Sequence, residues 1–508
     1  MNFSVIEPYR AYIYLSYLKS FNEKTSSLLE KYGMSHVDFS RISESVSESL
    51  DQIFLPDFVI SFDEWLVRQE SCEYDRYIRY FKDEKNMWKN SILPGNTYIT
   101  TLAEHIVHST VENLRECLDR FTRDYSLIKQ WLNWGDDICL KSIEILGGDR
   151  HENGQQPVKI TTLSSSVIYK PRSTGIESVL NSICSILGFY AICPQTVERN
   201  NYLWQRFVSN DGLDVESDAQ AVYENYGFIL GIADYLNIND CHFDNFIVDR
   251  DKVYLIDAET SFQYFYDTGH DFERSVLQTG LLQSQDTLIN GAGHTSAITA
   301  VTNIFQSYTY PHALHDASEK IQVSYERGFA RKTQNYPHVN GVPVKATGFI
   351  PDVVAGYEKS FNALSANKKA VLDVLENAGD IKPRFLIRTT AYYLLVINQL
   401  INPKNSRNFI QRFPEVFNEY LRYEGAHESF DQLIPYESSC LQAYDVPIFY
   451  IDLHGRGLTN GDGGFAENFL PHSPFTQIRD NFERGGRYLE RQKEIINWSM
   501  NVNYIWQS

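Results

Sequence analysis

None of the seven cysteines forms a CxxC pair, and they are scattered between Cys72 and Cys440. An odd, dispersed set argues against a disulfide framework and fits a reducing compartment. It offers no Cys/His zinc spacing either. Basic runs are also missing: 46 Lys and Arg against 65 Asp and Glu leave a formal net charge of −19. Duplex recognition needs concentrated positive charge, so nucleic acid and anionic membrane are not expected as main partners. A phosphate site, which needs only a few local cations, is untouched by this argument. The longest apolar run, around Tyr392 to Leu400, is far short of the ~20 residues that span a bilayer. The N-terminus, MNFSVIEPYRAYIYLSYL, carries Glu7 and Arg10 within its apolar stretch. It has no basic n-region and no small-residue cleavage site. A cytoplasmic protein without stable membrane insertion is expected.

What is present is ordinary globular composition, with 43% hydrophobic and 22% charged residues in 508. The patterning divides into a helical N-terminal region (1–140), a mixed core (141–345) and a mostly helical C-terminal region (346–508), an α+β fold. Leu102, Ile106, Val107, Val111, Leu114 and Cys117 recur at helical spacing after a break at Pro94 and Gly95. From Gly147 the turn-rich GGDRHENGQQ leads into PVKITTL and SSSVIYKPR, which predict a hairpin ending on Lys170, just before Pro171. Ser217 and Gln220 have capping-box spacing, and Val222, Tyr226, Ile229, Leu230 and Ala233 share a helical face. That helix should end near Asn237. NDCHFDN follows as a loop, and FIV, DRDK and VYLI predict a second hairpin delivering Asp257 and Glu259. Residues 270–345 are mixed, with turns near Gly291 to Ser296. Beyond 350 helices dominate, apart from loops expected at 402–407 and 453–464.

Phosphoryl transfer from a nucleotide needs a cation for the non-reacting phosphates, oxygen ligands for Mg²⁺, and a group that orients the attacking hydroxyl. The chain supplies these in order: Lys170 on a strand, Asp240, His242 and Asn245 on a loop, and Asp257 after a strand. Asn245 and Asp257 flank a hairpin, so their oxygens can converge although twelve residues separate them. With period-two alternation, Glu259 should share a side with Asp257. Each piece has an ordinary alternative. Lys170 could be a solvated surface residue, DxHxxN a loop capped by its own side chains, and Asp257 a turn-former. The ordered combination is more specific than its parts.

The stretches GDRH (148–151), YKPRS (169–173), DCHFDN (240–245), IDAET (256–260), SVLQTGLL (275–282), RFLIRTT (384–390) and ESSCLQAYDVPIF (437–449) together resemble the dehydratase domain of class II lanthipeptide synthetases (LanM type). The resemblance implies a lipid-kinase-like catalytic core, elaborated with helical N-terminal and C-terminal regions. It implies a protein that uses ATP and Mg²⁺ to phosphorylate Ser and Thr of a leader-bearing precursor peptide, then eliminates phosphate to leave dehydroalanine or dehydrobutyrine. Carried over residue by residue, Lys170 would contact ATP phosphates, and Asp240 and His242 would serve phosphotransfer. Asn245 and Asp257 would hold metal with Glu259 in support. Arg384 and Thr390, with Arg388 nearby, would serve elimination, where the alternative for Thr390 is a capping or back-bonded role. Asp149 and His151 match a further pair tied to activity in either step. The chain departs from the pattern at Asp244, where Glu is common, and ends at Ser508 without a cyclase zinc site. Dehydration without ring closure is therefore expected, with a separate cyclase or other tailoring enzyme as partner. Competing readings are a peptide kinase lacking elimination, a non-catalytic peptide-binding scaffold of the same fold, and a small-molecule or lipid kinase.

Overall fold

The computed structural model describes residues 14–66, 95–135, 139–266, 275–283, 296–298, 308–315, 321–328, 335–379, 381–422 and 428–505. The expected break at Pro94, the residues up to 13 and the turns at 291–295 lie outside them. The chain forms two compact units. One comprises residues 1–171, 309–326 and 387–448; the other comprises 172–308, 327–386 and 449–508.

In chain order the principal elements begin with helices α1 (Leu15–Lys31), α2 (Ser40–Leu66) and α3 (Thr97–Trp131), then strands β1 (Leu140–Ile145), β2 (Val158–Thr162) and β3 (Ser166–Lys170). Next come α4 (Ile176–Ile186), β4 (Thr196–Glu198), β5 (Leu203–Arg206), α5 (Ala219–Tyr235), β6 (Phe246–Asp249) and β7 (Lys252–Leu255). They are followed by α6 (Ile350–Ala366), α7 (Thr390–Ile401), α8 (Phe409–Tyr420), α9 (Ile434–Gln442), β8 (Phe449–Ile451), β9 (Leu458–Asn460) and α10 (Gly486–Ile505). Helices with small antiparallel sheets make the α+β class expected from the patterning.

In the first unit, Leu102, Ile106, Val107, Leu114 and Cys117 of α3 are buried as their spacing predicts, and Val111 is half-buried at the margin. Asn96 caps α3, accepting from the Ile99 amide, while its own amide donates to Asp57 and Ser406 at 2.9 Å each. One side chain thus fixes the helix start and ties it to two other segments. Strands β2 and β3 form the predicted hairpin, with Val158 opposite Tyr169 and Ile160 opposite Val167, and β1, which was not expected, pairs antiparallel with β2. The β2–β3 turn is closed by the Thr162 hydroxyl, which accepts from the Ser164 and Ser165 amides. Residues 402–407, expected as a loop, contain a single helical turn at Pro403–Ser406. The physical reason is local: Asn402 accepts from the Lys404 amide at 3.1 Å, and Pro403 supplies a preset φ at the first helical position.

In the second unit the helix predicted from Ser217 begins two residues later, at Ala219, after a 3-10 turn at Glu216–Asp218. The expected Ser217–Gln220 capping box is not formed. Instead Asp218 accepts from the Val215 amide at 3.4 Å, and its own amide donates back to the Val215 carbonyl. From Tyr226 to Tyr235 helix α5 is buried on every side rather than along one stripe, whereas Gln220 and Ala221 near its start are exposed. It lies so close to α6 that side chains are excluded. A Cβ on Gly227 would sit 2.0 Å from the Val353 carbonyl oxygen, and one on Gly356 would sit 1.9 Å from that of Glu224. Gly231 packs likewise against Ser360. Near the end of α5, the buried Asp234 accepts from Tyr357 of α6 at 2.7 Å, from Tyr488 of α10 at 2.8 Å and from Arg484 at 3.0 Å. Strands β6 and β7 make the predicted hairpin, with Phe246 opposite Leu255 and Asp249 opposite Lys252. Residues 453–464, also expected as a loop, contain β9, which pairs with β8. Among the described residues no helix is long and apolar enough to cross a membrane.

Candidate active site

Helix α5 ends because Asn237 enters the left-handed region, at φ 51°, and its side-chain Nδ2 donates to the Gln263 carbonyl and to Gln477 Oε1. The next turn carries the polar motif. Asp240 also sits at positive φ, 58°, a conformation that Asp tolerates better than most residues. Its carbonyl accepts twice at 2.8 Å, from the His242 amide and from the Asn245 side chain. With Nδ2 of Asn245 so committed, Oδ1 is the atom able to face a cation. His242 Nδ1 accepts from the Asp244 amide at 3.2 Å, so in the neutral ring the proton lies on Nε2. That nitrogen is 3.8 Å from Asp240 Oδ1.

Two neighbouring segments hold this loop. Asn239 and Thr260 exchange bonds, amide to carbonyl at 3.2 Å and hydroxyl to carbonyl at 2.8 Å. The Ile256 amide donates to the Asn245 carbonyl. On the other side the Cys241 amide donates to Thr279 at 2.9 Å, in the SVLQTGLL stretch. Gly280 follows at φ 80°, where a Cβ would press to 3.1 Å from the Cys241 nitrogen. The loop is therefore built in place from three sequence stretches of the second unit.

Asp257 and Glu259 reach the cluster by a different route from the one expected. Strand β7 stops at Leu255, so period-two alternation does not govern them. A turn does: Asp257 accepts from the Glu259 amide at 3.3 Å. Glu259 then lies between two guanidinium groups, Arg384 at 2.6 Å and Arg172 at 3.9 Å. Arg384 is buried and fixed at its backbone too. Its amide donates to the Glu259 carbonyl, and its carbonyl accepts from Gln263. Burial raises the Asp240 carboxyl above the usual carboxylate range. The charges of His242 and Arg384 pull it down, and those of Asp257 and Glu259 push it up. One electrostatic neighbourhood thus gathers Asp240, His242, Asp257, Glu259 and Arg384. Among the described residues there is no cage of three or more His, Cys, Asp or Glu side chains. A Mg²⁺ that keeps water and phosphate in its shell needs only one or two protein oxygens. Asn245 Oδ1 and the Asp257 carboxylate fit that chemistry.

The remaining candidates belong to the first unit. Lys170 is half-buried and closes β3. Thr390 opens α7, but the cap is Thr389, which accepts from the Tyr392 amide at 3.3 Å. This leaves the Thr390 hydroxyl to donate to Asp149 Oδ2 at 2.7 Å, so the capping alternative for Thr390 does not hold. His151 is buried, with Nδ1 2.7 Å from the Val446 carbonyl. That contact places the Nδ1 proton on the bond and leaves Nε2 as the basic nitrogen of a neutral ring. Arg388 donates to Glu437 at 3.1 Å, and Tyr393 donates to the same carboxylate oxygen at 2.7 Å. Sequence reasoning singled out Lys170 in YKPRS and passed over Arg172 two residues on. It likewise quoted the 437–449 stretch without marking Glu437 or Asp445.

The family described as a domain of unknown function (DUF4135) matches residues 97–452. The chain belongs to that family, which is associated with the LanM proteins. The lacticin 481/lactococcin biosynthesis protein LcnDR2 of Lactococcus lactis subsp. lactis is similar to it, 23% identical over 429 residues. The alignment covers 78% of this chain and 45% of the relative, so the chain spans less than half of that protein's length.

Proposed function

We propose that this protein modifies a ribosomally made lanthipeptide precursor, dehydrating its Ser and Thr residues by phosphorylation followed by elimination of phosphate. The observation that carries the reading is the gathering of Asp240, His242, Asn245, Asp257 and Glu259 around one turn, with Arg384 in the same charge neighbourhood. Membership of a LanM-associated family and similarity to a lacticin 481/lactococcin biosynthesis protein support it.

In this reading the core is lipid-kinase-like. Mg²⁺-ATP, when bound, supplies the γ-phosphoryl group and the metal that neutralises its charge. Asn245 and Asp257 would hold the metal, Glu259 would support them, and Lys170 would contact the phosphates. Asp240 would accept the hydroxyl proton of the peptide Ser or Thr as its oxygen bonds to phosphorus and ADP departs. His242, whose Nε2 lies 3.8 Å from the same carboxylate, would orient that step. In the second step the Cα proton is removed, the electron pair forms the Cα–Cβ double bond, and the Cβ–O bond breaks to release inorganic phosphate. Arg384 would stabilise the developing phosphate charge. Thr390 with Asp149, and His151 nearby in sequence, would serve the proton and phosphate movements of elimination.

The test is to incubate the purified chain with ATP, Mg²⁺ and a leader-bearing, Ser/Thr-rich precursor peptide. A loss of about 18 Da per modified residue marks dehydration, whereas a gain of about 80 Da marks retained phosphate. Dehydrated product that forms only with both ATP and Mg²⁺ is expected. Unmodified peptide would overturn the reading, and phosphopeptide alone would reduce it to a peptide kinase.

A further inference from the structure

The residues around the Asp149–Thr390 pair are held by one short segment of the first unit, and both holders lie in the 437–449 stretch, where neither was marked. On the Asp149 side, the loop that follows carries three successive residues at positive φ: Glu152 at 45°, Asn153 at 66° and Gly154 at 79°. Two of them are not glycine, so the loop is strained and needs a partner that imposes its shape. Asp445 is that partner. Its Oδ2 accepts from the Asn153 amide at 2.7 Å and from the Gly154 amide at 3.1 Å. Its Oδ1 lies 3.8 Å from Arg150 Nε, and both side chains are almost wholly buried. Arg150 continues inward to Ser109 at 2.7 Å, and its carbonyl accepts from the Val446 amide at 2.7 Å. Gly154 is required by this packing, because a Cβ there would meet Arg150 Nη2 at 2.3 Å.

On the Thr390 side the holder is Glu437, fully buried on α9. It accepts from Arg388 two residues before Thr390 and from Tyr393 three residues after it. Glu437 and Asp445 are eight residues apart, joined by α9 and a turn in which the Asp445 amide donates to the Cys440 carbonyl at 3.0 Å. A single segment therefore holds residues that flank both members of the hydrogen-bonded pair. Burying charge in this way is seldom a net source of stability. Burial pushes the Asp445 carboxyl up and the Arg150 guanidinium down, so each charge is kept against its solvation preference. Such a pair makes sense where it fixes geometry.

We propose that Asp445, through Arg150 and the 153–154 amides, and Glu437, through Arg388 and Tyr393, are positioning residues that set the Asp149–Thr390 pair for the elimination half of the reaction. This rests on the reading above that the pair serves elimination. The experiment uses the full chain, Mg²⁺-ATP and the same precursor peptide, with phosphorylation and elimination followed separately by mass spectrometry and thermal unfolding measured alongside. Asp445→Asn and Glu437→Gln should keep phosphorylation within about twofold while elimination slows by about tenfold or more, so that phosphopeptide accumulates. A purely structural role would slow both halves together. If Asp445→Asn fails to fold, Arg150→Lys, which keeps the charge and loses the fork, should show the same split; if Glu437→Gln fails to fold, Tyr393→Phe, which removes one of its donors, should. Equal loss of both halves, or no change in their ratio in folded protein, overturns the proposal. Thr390→Ala is the control: if it does not accumulate phosphopeptide, the elimination reading itself fails, whatever the positioning variants do.

Discussion

At the residue scale, the second unit binds two motifs together that were far apart in the chain. Arg384, read as an elimination residue, makes a 2.6 Å ion pair with Glu259, and its charge is felt at Asp240. Asp240→Asn keeps the size of the side chain and removes its capacity to take a proton. It should abolish phosphorylation and dehydration alike, read as unmodified peptide mass. Arg384→Ala should instead let phosphopeptide accumulate, with elimination at least about 100-fold slower, as for loss of a donor to developing anionic charge. Fully dehydrated product at the normal rate would show that Arg384 is only a tether for Glu259. Much of this cluster was legible in sequence. DxHxxN and the later Asp257 are local signals, and the hairpin between them is announced by β-branched residues around a polar turn. Arg172 was not legible, because nothing in YKPRS distinguishes a lysine that ends a strand from an arginine that turns back onto a carboxylate. The Thr389 cap was equally hidden, since two adjacent threonines offer the same chemistry and only the start of α7 decides between them.

At the element scale the most demanding contact is α5 against α6. The sequence showed an amphipathic stripe on α5, yet from Tyr226 to Tyr235 the helix is buried all round, because Gly227 and Gly231 form a second face with no side chains to register as hydrophobic. A pattern of apolar positions cannot report a contact made by absence. Gly227→Ala or Gly356→Ala would drive a methyl into a backbone carbonyl that has no rotamer to escape by. Each should cost about 3 kcal/mol or more, measured as a fall in the urea midpoint at unchanged slope. Gly485→Ala, where a Cβ meets nothing within 4 Å, is the matched control and should change little. The misplaced loops at 402–407 and 453–464 have a related cause. Their elements are one helical turn and one three-residue strand, too short for periodicity to mark.

At the scale of the whole molecule, the division into two units cuts RFLIRTT between Leu386 and Ile387, so a stretch read as one motif contributes Arg384 to one unit and Thr390 to the other. The α+β class was legible from composition and patterning, whereas that boundary was not, because no linker composition marks it. Within the second unit, Asp234 joins α5, α6 and α10 through Tyr357, Tyr488 and Arg484. Removing one partner from such a buried network leaves the others uncompensated. Asp234→Ala should therefore destabilise the unit by about 3–5 kcal/mol, seen in denaturant unfolding. A change below about 1 kcal/mol would mean that the three donors find water instead.

The α5–α6 seam also sets the terms on which this protein can vary. A core built from interlocking side chains changes by increments, a methyl lost here and regained opposite, and intermediate sequences remain folded. Where two backbones touch, no such trade exists, since nothing smaller than glycine can be offered in return. Positions 227 and 356 should accept no other residue in a saturation library selected for folding, while the apolar positions around them drift freely among Val, Ile and Leu.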